Sequence, residues 1–149
     1  MLDIILIICC TLAGFALGKF LERRIGEKGK FYQDLTMYVA LLKDNVLGRQ
    51  LELEKFNVEF IQNCGSTFKS YIQNGSVKNR FSKAQKANLD KFFGNLDCVS
   101  SQALVEHIDY YGKILSEDAQ AVLKNEVAKS SIYSKLGMLL GAMLGILFV

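Results

Sequence analysis

Proline is absent from this chain of 149 residues, histidine occurs once, and a long run near each end lacks charge. Each absence excludes something. Without proline, no residue breaks the hydrogen-bond ladder of a helix by lacking its N–H, so long helices are unobstructed. One histidine, His107, and four cysteines at 9, 10, 64 and 98 give no cluster of the kind that holds zinc or activates a nucleophile. No glycine-rich loop runs into Lys-Ser or Lys-Thr, so the phosphate cradle of a P-loop is missing. Alternation with a period of two residues is scarce, which argues against strands. The chain reads as all-α and as no enzyme, with no cofactor and no metal expected. A net charge of +3 is too small for a nucleic-acid binder, whose basic excess would be larger and gathered on one face.

What is present is sharply partitioned. No residue is charged from Ile4 to Gly18 or from Leu136 to Val149, and all 18 Lys and Arg fall between Lys19 and Lys135, together with every acid except Asp3. The middle has the composition of a water-soluble domain and the ends do not. Residues 1–20 are expected to form a transmembrane helix. Its apolar core, Ile4 to Leu17 with Gly18 and Phe20, is about 17 residues, the lower limit for crossing ~30 Å of hydrocarbon. A cleaved signal peptide would open on Lys or Arg and close on a small-residue cleavage site, whereas here the cations follow the apolar run. A lipoprotein signal fails as well, because the run before Cys9 is too short and a bulky Ile8 precedes it. Residues 132–149 are the second expected transmembrane helix. The 14 residues from Leu136 on give about 21 Å of helix, and counting from Ile132 gives about 27 Å with Lys135 snorkelling to the interface. The competing reading of so short a run is a buried core helix. Every position from Leu136 on is apolar or glycine, however, and a soluble helix would show a polar face.

Cations flank both segments on one side only. Lys19, Arg23, Arg24, Lys28 and Lys30 follow the first, and Lys124, Lys129 and Lys135 precede the second. The positive-inside rule then predicts a cytoplasmic middle domain with both termini outside. Gly14 and Gly18 recur four residues apart, as do Gly137, Gly141 and Gly145. Four residues is just over one turn, so each set lines one helix face and lets a neighbouring backbone approach closely in lipid. The neighbour could be the other segment of this chain, a second copy, or another membrane protein.

Residues 21–131 are expected to form a compact antiparallel helical bundle. The first helix should end near Ile25, interrupted by Gly26 and Gly29. Phe31, Leu35, Tyr38, Leu42 and Val46 then repeat at helical spacing up to Gly48. A third helix spans roughly Gln50 to Asn63, and Ser66 caps a short fourth that ends at Asn74-Gly75. A fifth runs near Ser82 to Asn95. The last starts at Ser100 or Ser101, carries Leu104, Ile108, Tyr111, Leu115, Val122 and Leu123, and continues unbroken into the C-terminal segment. The aromatics read as core, His107 as a polar residue at a helix interface, and Cys64 and Cys98 as thiols that could pair but stay reduced in a cytoplasmic domain.

Three stretches carry a resemblance. They are Gly14-Phe15-Ala16-Leu17-Gly18-Lys19; Phe92 to Leu96 with the loop Asp97 to Ser100 and Glu106-His107-Ile108; and Leu136-Gly137-Met138-Leu139-Leu140-Gly141. In this order the chain resembles the stage III sporulation protein AB family of endospore-forming bacteria, which shares its length and two-anchor layout. It departs from the family pattern at Asp97, at Ser100, and at Lys43-Asp44-Asn45, where the family carries Gly, Asp and a Glu-rich stretch. The resemblance implies a scaffold in a mother-cell membrane complex, with a soluble domain similar to the platform protein of type II secretion and type IV pilus systems. It also implies a cytoplasmic secretion-type ATPase and other sporulation membrane proteins as partners; the apolar ends add the lipid bilayer, the glycine faces allow a homo-oligomer, and the charge gives no nucleic acid. The alternative is an unrelated membrane-anchored adaptor that self-associates through its glycine faces.

Overall fold

The structure, a computed structural model, describes residues 2–75, 81–96 and 101–147. Among the described residues all regular structure is helical. Helix α1 spans Leu2–Asp44 without a break. The interruption expected at Gly26 and Gly29 does not occur. A glycine inside a helix costs roughly 1 kcal/mol against alanine, which packing can offset, whereas only proline removes a ladder bond outright.

The chain first reverses just beyond Gly48. Asn45–Arg49 forms a π turn, and the reversal comes at Gln50, held in the left-handed region at φ 51°. Such a conformation costs a non-glycine residue about 1–2 kcal/mol. Buried Asn45 offsets this: its amide donates to the Leu51 carbonyl at 3.0 Å and accepts the Leu51 N–H at 3.2 Å, while its own carbonyl takes the Gln50 N–H at 2.7 Å.

Helices α2 (Leu53–Asn63), α3 (Ser66–Asn74) and α4 (Lys83–Gly94) follow. Ser66 does not cap α3. Gly65 stands at the cap position, and its N–H is taken by the Asp34 carboxylate of α1 at 3.0 Å. Gly75 ends α3 in the left-handed region at φ 62°. Ser82 caps α4 in a reciprocal box with Gln85. Helix α5 spans Ser101–Ala121; the expected cap at Ser100, the loop from Asp97 and the partner thiol Cys98 lie outside the described residues.

The last helix is not uniform. A π turn, Val122–Val127, and a turn at residues 128–129 separate α5 from α6, Ser130–Leu147. The Ala128 N–H reaches back five residues to the Leu123 carbonyl at 3.1 Å. No residue type breaks the helix here; one extra residue is taken into a turn.

Contacts divide the chain into two units, Met1–Gly29 with Val122–Val149, and Lys30–Ala121. In the second, Phe31, Tyr32, Leu35, Tyr38 and Leu42 of α1 are buried, as are Phe60, Phe68, Leu89, Phe92, Ile108 and Leu115. The core is strongly aromatic: Phe31 lies 5.3 Å from Phe68, and Tyr38 5.2 Å from Phe60, between ring centroids. At such separations aromatic pairs add about 0.5–1.5 kcal/mol beyond area burial.

Candidate functional site, a glycine seam between two apolar helices

In the first unit the two apolar segments lie against each other, antiparallel, with almost no side chain between their backbones. A methyl group in place of the Gly18 hydrogen would stand 2.6 Å from the Tyr133 carbonyl oxygen and 2.7 Å from Ser134 Cα. At Gly14 it would meet the Gly137 carbonyl, and at Gly137 the Gly14 carbonyl. At Gly141 it would come within 2.5 Å of the Cys10 carbonyl and 3.0 Å of Thr11 Cα, and at Gly145 within 2.9 Å of Ile7 Cα. All five glycines singled out in the sequence therefore lie on one seam, each facing backbone of the opposite helix. This is close van der Waals packing of the small-residue type. Sequence reasoning missed Cys10 and Thr11 as members, although both are small and Cys10 continues the four-residue spacing of Gly14 and Gly18.

The seam continues below the glycines. Gly29, read from the sequence as a helix breaker, faces Val127, whose Cγ2 would be 2.5 Å from an added methyl. Beside it Lys28 donates to both carboxylate oxygens of Glu126 at 2.9 Å. The Lys28 side chain is 11% exposed and that of Glu126 41%. Lys28 is thus a neutralised structural cation at the base of the hairpin. Of the other flanking cations, Lys19 pairs with Glu22 at 3.0 Å and Arg23 with Glu27 at 3.6 Å along the surface of α1. Arg24, Lys30, Lys124, Lys129 and Lys135 are exposed.

The outward faces of the hairpin are apolar and bare. Leu12, Leu17 and Phe20 on α1 and Leu139, Met143 and Leu147 on α6 are each more than 60% exposed. The helical runs Ile4–Arg49 and Gln102–Leu147 are both long and apolar enough to cross a membrane. Only 6% and 11% of their most apolar stretches are buried, unlike the core helix of a soluble protein.

Among the described residues of the second unit, no catalytic or ligand-binding constellation is assembled. His107 Nε2 donates to the Phe92 carbonyl at the end of α4, 3.1 Å away, and its ring lies between Phe92 and Tyr111. It thereby binds a carbonyl of the last helical turn, where intrahelical partners run out. Cys64 donates its thiol to the Ile61 carbonyl at 3.7 Å, and burial, then the nearby Asp34 carboxylate, push its pKa up. Burial, with a smaller push from Asp90, raises the Tyr71 phenol to about 12. A cavity of ≈ 300 Å³ opens between α1 and α2, lined by Asp34, Met37, Leu41, Asp44, Glu59 and Phe60 among others. Among the described residues no group of three or more His, Cys, Asp or Glu is placed to hold a metal ion.

Fold and seam together define the chain as an all-helical protein with a hairpin of two apolar helices. Compared with protein-family models, with curated proteins and with solved structures, it matches none.

Proposed function

We propose that the protein is a non-enzymatic membrane scaffold: the glycine-seamed hairpin sits in the bilayer, and the charged unit stands in the cytoplasm as an antiparallel helical bundle. On the resemblance to the stage III sporulation protein AB family, that bundle is a platform that couples a secretion-type ATPase to other membrane proteins of a sporulation complex. The observation that carries the reading is the pairing of the two terminal segments, which turns apolar side chains outward, where a lipid medium would satisfy them. The cations that flank both segments on one side support the orientation.

Affinity purification of the full-length chain from sporulating cells tests the assignment. A secretion-type ATPase should co-purify, and a deletion strain that sporulates normally refutes the role. Orientation is tested separately: a C-terminal reporter active only in the cytoplasm would reverse it. The rival reading, an adaptor that self-associates through its glycine faces, has a specific observation against it. Those faces are already occupied within one chain.

A further inference from the structure

Charge is unevenly held. Met1–Gly29 with Val122–Val149 carries seven Lys and Arg against four Asp and Glu, while Lys30–Ala121 carries eleven of each, so the whole excess of +3 belongs to the hairpin unit. Asp3 lies at the far end of the apolar run. The three remaining acids are each engaged: Glu22 by Lys19 at 3.0 Å, Glu27 by Arg23 at 3.6 Å and Glu126 by Lys28 at 2.9 Å. Arg24, Lys124, Lys129 and Lys135 are left exposed, with no carboxylate partner among the described residues. Two contacts fix their level. Gly18 meets Tyr133 and Ser134 at the foot of the seam, and Lys28 meets Glu126 further down. Arg24 and Lys129 fall between these contacts, Lys135 just above and Lys124 just below. The interval is about 15 Å of helix, enough to cross the headgroup layer of one leaflet. Half-exposed Tyr133 stands at its upper edge, as aromatic residues do at membrane interfaces.

We infer that this collar binds anionic phospholipid headgroups, with Arg24, Lys124, Lys129 and Lys135 taking the phosphodiester charge that the protein's own acids do not supply. The inference rests on the membrane reading above. A zwitterionic headgroup also offers a phosphate, but its own cation cancels the field; a net negative headgroup does not, and attraction near the surface is worth about 1 kcal/mol per Lys or Arg.

The test uses the full-length protein reconstituted in vesicles of phosphatidylcholine, alone or with a minority of phosphatidylglycerol. Spin-labelled lipids of both kinds report which one is immobilised at the protein. Phosphatidylglycerol should be preferred, and each of Arg24→Gln, Lys124→Gln, Lys129→Gln and Lys135→Gln should lower the preference by up to about fivefold, less at high salt. Free glycerol phosphate should not compete, since the collar takes the headgroup at a surface. Equal immobilisation of both lipids overturns the inference, as does an equal loss on Lys86→Gln in the other unit, which would show mere net-charge attraction. Failure to insert into phosphatidylcholine at all instead removes the membrane reading, and the collar with it.

Discussion

A glycine inside a helix is defined by what a methyl group in its place would meet. At Gly26 it meets nothing within 4 Å, so this residue contributes only backbone freedom to the unfolded chain. Gly26→Ala should therefore stabilise the protein by roughly 0.5–1 kcal/mol, read as a higher melting temperature in detergent. At Gly29, three residues on, the same methyl would press on Val127 and the gain should vanish. Tyr71 makes a prediction about pH. Its phenol ordinarily titrates near 10 and is pushed up to about 12 in the fold, so the folded state holds the proton more tightly than the unfolded one. The contribution is complete below pH 10 and is lost as pH rises from 10 through 12, with an upper bound of about 3 kcal/mol. Thermal melts across that range should fall less steeply for Tyr71→Phe, which keeps the ring against Phe31 and Phe93. Identical slopes for the two proteins would remove the assignment.

Elements show which features a sequence can announce. The glycine seam was legible because a four-residue spacing inside an uncharged run is local information. So was the helix start at Ser82, whose reciprocal box with Gln85 the structure adds. The cap on Gly65 was not, since its acceptor Asp34 lies 31 residues away, and neither was the Lys28–Glu126 pair, whose partners are 98 residues apart. Helix breaking at Gly26 and Gly29 was misread because a glycine ends a helix only where nothing offsets its cost. The π turn Val122–Val127 left no composition signal, since it takes in one residue more than the α-helical count. It rotates every later position by about 100° from its place in an uninterrupted helix. Deleting exposed Lys124 should let the turn revert to α geometry and leave α6 turning the same face to α1, since the residue lost and the extra residue of the π turn cancel. Gly141→Leu attacks the same interface directly, since even its first carbon would lie 2.5 Å from the Cys10 carbonyl. Overpacking of this kind costs about 1–3 kcal/mol. Spin labels at exposed Leu12 and Leu139 should give one short distance in the unaltered protein and in the Lys124 deletion, and a longer or broader one in Gly141→Leu. An unchanged distance in Gly141→Leu would show that the seam does not hold the hairpin.

For the whole molecule, the question is whether the apolar ends and the aromatic core answer to the same solvent. Leu139 and Leu89 separate the possibilities. Leu139 is 62% exposed on the hairpin and Leu89 is 1% exposed in the second unit. If lipid is the medium around the hairpin, an aspartate at Leu139 opposes insertion by about 2.5–3.5 kcal/mol and leaves the aromatic core untouched. Leu89→Ala opens a cavity in that core, at a cost of about 2–5 kcal/mol, and leaves insertion untouched. Leu139→Asp should thus lower the carbonate-resistant membrane fraction without moving the melting temperature of the charged unit. Leu89→Ala should do the reverse. The crossed outcome follows from where each leucine sits and does not depend on any partner. A Leu139→Asp protein that melts early yet remains as firmly in the membrane fraction would place Leu139 in a water-excluded protein core, and the outward faces of the hairpin would then need a protein cover in place of lipid.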